Sequence, residues 1–136
     1  MPYFSASHRR LEPFNNFRKP RCILSAQSSK TGLVISYDDD SEFLDVGFTY
    51  DQALSAFNFI NLKEHKKAKM IFDFYKFNAA KIKGGYANAY DVITGNVSEY
   101  IVHSGPSIYL ALAMLKYEEL TDDVSYYPVV EEISYW

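Results

Sequence analysis

Apolar residues recur at helical spacing in four stretches of the chain. Tyr50, Ala53, Leu54, Phe57 and Ile60 fall on one face of a helix that starts at Thr49. Thr49 and Gln52 read as a capping box, and Asp51 in the first turn suits the helix dipole. Asn61 to Glu64 interrupt the pattern. Ala68, Ile71, Phe72 and Tyr75 then form the stripe of a second helix, with His65, Lys66, Lys67 and Lys69 on its other side and Gly84-Gly85 as its end. So short a break makes the two helices antiparallel neighbours. Ser104-Gly105-Pro106 opens a third helix, Ser104 as cap and Pro106 in the first turn. Its run from Ile108 to Leu115 is apolar nearly all the way round and calls for neighbours on most sides. Thr121-Asp122-Asp123 breaks it, and Pro128 opens a last helix with Val129, Val130, Ile133 and Trp136 as its stripe.

The remaining segments are extended or loop-like. SSKTGLVIS, residues 28–36, has a Thr-Gly turn and a short apolar run, as a strand or extended entry segment would. Gly85 to His103 reads as loop with short strands at Tyr86 to Tyr90 and Tyr100 to His103. Asp38, Asp39 and Asp40 read as a solvated turn, because a calcium loop needs alternating ligands and a distal Glu.

The two helix pairs echo each other. A shift of about 58 residues lays Ala53-Leu54 on Ala111-Leu112, Phe57 on Leu115 and Ile71-Phe72 on Val129-Val130. The first helix of each pair is the more apolar, which suits two layers with first helices inside and second helices outside. The expected fold is therefore all-α, helical hairpins in two layers with short extended segments. The expected core is Ala53, Leu54, Phe57, Ile71, Phe72, Leu110, Ala111, Leu112, Met114 and Leu115. The last helix stops on an aromatic residue without a cap signal, so its edge is expected to meet a second copy or a missing C-terminal remainder.

Composition changes this picture at few points. With 136 residues, 48% hydrophobic, the chain is one domain's worth and excludes disordered classes. The first 27 residues carry a net charge of +4 and the rest −7, so residues 1–27 read as a basic arm and 28–136 as the folded domain. That balance argues against a nucleic-acid partner, and no apolar run is long enough for a membrane span. The arm has no secretory h-region, and the default compartment is the cytoplasm. Cys22 stands alone, His103 has no His or Cys at metal-ligand spacing, and Gly84-Gly85 lacks a phosphate-binding context. No metal and no cofactor is expected.

TGLVISY, TYDQALSAFNFI, NAYDVITGNVSEYIVHSGPSIYLALAMLKYEEL and YYPVVEEISYW together resemble the N-terminal part of the six-hairpin glycosidase, or α/α toroid, superfamily. The resemblance covers roughly residues 28–136. It implies a partial toroid in which inner helices run parallel, with a sugar cleft at one mouth lined by their ends and preceding loops. Two carboxylates carry hydrolysis in such proteins. A closed ring implies about six hairpins and only two are present, so the chain alone is expected to be inactive. The implied function is glycan binding or hydrolysis in the parent family. The alternative from the residues is a non-catalytic helical-repeat module that binds another protein.

The candidate chemistry follows from position. Asp51, in the first turn of an inner helix, faces free backbone N–H groups, which suits a base or an acceptor of sugar hydroxyls. Asp91 and Glu99, in the loop between hairpins, are the other candidate carboxylates. His103 precedes the second inner helix as Phe48 precedes the first and can donate to a sugar hydroxyl. Tyr37, Tyr50 and Tyr90 offer aromatic faces to sugar C–H groups, and Asn88 offers a polar partner.

Overall fold

A computed structural model describes residues 25–37 and 42–136. The basic arm up to residue 24, Cys22 and the Asp38–Asp40 turn lie outside the described residues. Four helices form where the spacing places them: α1 (Thr49–Asn61), α2 (His65–Asp73), α3 (Ser104–Thr121) and α4 (Tyr127–Tyr135). The three residues between α1 and α2 turn the chain back on itself. Asp122 ends α3 in the left-handed conformation at φ 58°, and Pro128 stands in the first turn of α4.

The all-α expectation is corrected by five short strands: β1 (Val46–Phe48), β2 (Lys81–Ile82), β3 (Gly85–Tyr86), β4 (Ala89–Asp91) and β5 (Val97–Glu99). They build two small antiparallel sheets, β1-β4-β5 and the hairpin β2-β3. The fold is mixed, helices with two small sheets. The second helix ends earlier than Gly84-Gly85, in a π-helical turn at Phe74–Asn78. Lys83 and Gly84 then turn the hairpin with φ of 49° and 86°, the two positive values a tight primed turn requires. The expected strand at Tyr100 to His103 lies instead at β5.

The capping box does not form either. Phe48 precedes α1 without a side-chain cap, and Thr49 and Gln52 are buried and reach across the fold. The Gln52 side-chain amide donates to the Val34 carbonyl at 2.7 Å and accepts from the Val34 N–H at 2.8 Å. A single side chain thus takes the place of a neighbouring strand and pins the extended segment to α1. Ser104 is likewise no side-chain cap: it is the first residue of α3, and His103 holds the cap position.

The helices repeat in space as they do in sequence. Tyr50, in the first turn of α1, packs edge-on against Tyr109 near the start of α3 at 5.0 Å. At the other end, His65 beyond the α1 C-terminus meets Tyr117 of α3. So α1 and α3 run side by side and parallel, with α2 against α1 and α4 against α3. Thr49, Ala53, Ala56 and Phe59 are buried, and so are their counterparts Ser107, Ala111, Met114 and Tyr117. The outward rows match too, and here the core expectation is corrected. Leu54, Leu112 and Leu115 are 38%, 48% and 39% exposed, and Phe57 is half-buried. The apolar run of α3 goes all round the helix, and its neighbours cover only part of that surface. Among the described residues no helix is long and apolar enough to cross a membrane.

Candidate functional site

The parallel course of α1 and α3 brings both N-termini to one end of the fold. Asn88 ties that end together. Its carbonyl accepts the Thr49 N–H at 2.8 Å, its N–H donates to the Ile101 carbonyl at 2.7 Å, and its side-chain amide donates to the Glu99 carboxylate. Behind it runs a buried relay. The Tyr75 hydroxyl donates to Thr49 Oγ1 at 3.0 Å, and Thr49 Oγ1 donates to the Ala87 carbonyl at 2.7 Å. Burial, in first place, pushes the Tyr75 hydroxyl well above its ordinary value, so this relay stays protonated and neutral. The first turn of α1 is fixed by this network, and with it the position of Asp51.

The sequence-derived candidates divide into two groups. Tyr50, Asp51, Asn88, Glu99 and His103 lie at or next to the two helix N-termini. Tyr50 and Tyr109 are exposed and meet at right angles, which leaves an aromatic corner open to solvent. His103 is exposed and takes the N-cap position of α3, its carbonyl accepting the Ser107 hydroxyl at 3.4 Å. Tyr37 is exposed within a separate trio with Phe43 and Phe48, the last of which leads directly into α1.

Tyr90 and Asp91 do not belong with them. Tyr90 is fully buried between Phe74 and Tyr75, and its hydroxyl accepts the Ala87 N–H and donates to the Ala80 carbonyl, both at 2.8 Å. Burial pushes that hydroxyl up to about 12 despite the Ala87 N–H. Tyr90 is a core residue with no face to offer a ligand. Tyr90→Phe leaves the Ala87 N–H buried without an acceptor and is expected to cost about 1–3 kcal/mol; urea denaturation at an unchanged slope measures it, and a midpoint equal to wild type contradicts the assignment.

Asp91 pairs with Val46 at the end of the sheet away from Phe48 and α1. Its carboxylate is engaged by its own turn, accepting the Ile93 and Thr94 N–H groups at 2.9 and 2.7 Å. Burial raises its pKa, but the Thr94 N–H, the Thr94 hydroxyl and the Ile93 N–H outweigh burial and hold it below 3.8. A carboxyl lowered on folding stabilises the fold above its unfolded value and loses that effect as pH falls through the folded one. An NMR titration of the Asp91 carboxyl is therefore expected to give a midpoint below 3.8, with the β4–β5 turn loosening over the same acid range; a midpoint at or above that value contradicts the turn's hold on it.

Two features escaped the sequence. Tyr109 sits at the position that the 58-residue offset matches to Asp51, so a search for the same residue type in both units passes over it. An open polar cavity of about 850 Å³ lies between the π-helical turn and the β4–β5 turn, lined by Lys30, Asn78, Thr94, Asn96 and Tyr100 among others. Its residues come from three separate stretches, and no local pattern announces them. Among the described residues no cluster of His, Cys, Asp and Glu converges to hold a metal ion.

Neither a protein-family profile nor a curated protein sequence matches the chain. A solved structure does: endoglucanase Cel10, a family 8 glycosyl hydrolase from Klebsiella pneumoniae, superposes with a TM-score of 0.65 at 12% identity. The match takes in 82% of this chain and 36% of that one, so the chain spans about a third of the length of its structural neighbour. At that identity the likeness is one of fold: this chain has a glycoside hydrolase-like, α/α-toroid type of helical arrangement over the matched residues.

Proposed function

We propose that the chain forms a carbohydrate-binding part of a glycoside hydrolase-like protein, with the glycan lying across the N-terminal ends of α1 and α3. The observation that carries this reading is the parallel pair of helices whose N-termini gather an open tyrosine corner, two carboxylates and a histidine at one mouth. A sugar ring needs that combination: apolar C–H faces pack on Tyr50 and Tyr109, and hydroxyls bond to Asp51, Glu99 and His103. The neighbour's being an endoglucanase makes soluble glucan oligosaccharides the first ligands to try.

Hydrolysis by this chain alone is not part of the proposal. A glycosidase sets two carboxylates across the scissile bond, about 5 Å apart when retaining and about 6.5–9.5 Å when inverting. Asp91 is spent in a turn at the other end of the sheet, and Glu99 is bonded to Asn88. The test is calorimetric titration with soluble glucan oligosaccharides. Tyr50→Ala is expected to weaken binding about tenfold, the loss of one aromatic platform. Tyr100→Ala, in the polar cavity, is expected to leave it unchanged; the reverse result moves the ligand to the cavity and overturns the proposal.

A further inference from the structure

The polar cavity between the π-helical turn and the β4–β5 turn is opposite in charge to the body that carries it. Residues 28–136 have a net charge of −7. The cavity is nevertheless lined by two lysines, Lys30 and Lys81, and, among the described residues, by no Asp or Glu. The two ammonium groups are not equally available. Lys81 is paired with Glu132 and lies 5.1 Å from the centre of the Tyr86 ring. Lys30 is exposed and has no carboxylate partner among the described residues, so it leaves the cavity with one unmatched positive charge.

The wall of the cavity is held in place by the fold. The Thr31 hydroxyl donates to the Val92 carbonyl at 2.6 Å, which fixes the stretch that carries Lys30 to the end of β4. The Tyr90 hydroxyl holds the Ala80 carbonyl from the core side. Gly95, at φ 79°, lies so close to Phe74 that a Cβ there would sit 3.1 Å from its ring. The β4–β5 turn is thus pressed onto the π-helical turn, and the Asp91 and Thr94 side chains brace it from within. On this fixed wall the side-chain amides of Asn78 and Asn96 are exposed and have no hydrogen-bond partner among the described residues.

We infer that this cavity binds a small hydroxylated anion, a sugar acid or a sugar phosphate. Lys30 supplies a charge-assisted hydrogen bond to the anionic group. The Asn78 and Asn96 amides each donate and accept, as neighbouring hydroxyls require. Tyr100, 75% exposed at the rim, offers a ring face and a hydroxyl. The volume of about 850 Å³ lies within the roughly 300–1,000 Å³ of small-molecule sites. A metal cation finds no carboxylate there and is repelled by Lys30. A nucleic acid meets a single unmatched charge on a body of −7. The inference does not depend on the glycan reading, which rests on other residues.

Amide NMR titration of the isotope-labelled full chain with glucuronate and, separately, with glucose 6-phosphate tests it, with glucose as the neutral control. The expected result is saturable shifts at Thr94, Gly95, Asn96 and Tyr100 with at least one of the two anions, weakening as salt is raised, and none with glucose. The anion that binds more tightly identifies the charged group. Lys30→Gln, at an exposed position, is expected to weaken binding about tenfold with circular dichroism and the unfolding midpoint unchanged. Lys116→Gln, which removes a lysine paired with Glu119 on α3, is expected to leave binding as it was. No saturable shift with either anion, equal shifts with glucose, or binding that survives Lys30→Gln each overturns the inference. Shifts at Tyr50 and Tyr109 with a neutral glucan bear on the glycan reading alone, so the two fail separately.

Discussion

Phe72→Ala is expected to lower the free energy of unfolding by about 3–5 kcal/mol. Phe72 has no exposed surface and packs against Tyr117 of α3 at 5.5 Å and Tyr126 at 5.3 Å. It is where the second helix of the first hairpin meets the second hairpin. Truncation removes the transfer energy of the ring and leaves a cavity walled by Tyr117 and Tyr126, the second of them anchored through its hydroxyl. Tyr126 donates to Asp73 and accepts from Lys69 Nζ, which keeps it from collapsing into the space. A domain of this size has roughly 5–15 kcal/mol in total, so the variant loses a large part of its margin. Leu112→Ala, by contrast, truncates a half-exposed side chain and is expected to cost far less. Parallel urea denaturations of the two variants measure the difference; equal costs contradict the placement of the core.

The second large effect is expected at Gln52. Gln52→Ala strands the N–H and the carbonyl of Val34, both of which pair, among the described residues, with that buried side chain. Each orphaned group costs about 1–3 kcal/mol, so the pair should cost about 2–6 kcal/mol. Hydrogen exchange separates this from a general loss of stability. The Val34 amide is expected to lose protection while the amides of α3 keep theirs relative to the global unfolding limit. Uniform loss along the chain contradicts the pinning role.

Those two residues also mark how far the sequence reaches. The starts of α1, α3 and α4, the short α1–α2 turn and the repeat are all carried by spacing that local chemistry makes explicit. Phe72 is legible because it lies on the narrow stripe of an otherwise lysine-rich helix. Leu112 is not, because α3 is apolar all round and periodicity cannot choose which side its neighbours cover. Gln52 has the spacing of a capping residue, but its partner is 18 positions away and belongs to another segment. Strands of two or three residues are too short for period-two alternation to register, so the sheets that make the fold mixed leave no pattern.

The candidate site follows the same division. Tyr50, Asp51 and His103 are legible because helix starts can be located, and the resemblance says that such starts share a mouth. Asn88 and Glu99 are found as polar residues in a loop, while their bond to each other comes only from the β4–β5 pairing. Tyr90 and Asp91, two neighbours in the same strand, look equally suited from the sequence. The pairing of β4 with β1 sends one into the core and the other to the far end of the sheet.

Titration of the isotope-labelled chain with a soluble glucan oligosaccharide, followed by amide and side-chain NMR shifts, tests the central claim most directly. The predicted result is saturable shifts centred on Tyr50, Asp51, Asn88, Glu99, His103 and Tyr109, with Asp91 and Tyr90 unmoved. Shifts confined to the cavity around Thr94 and Asn96, or none at millimolar ligand, would contradict it.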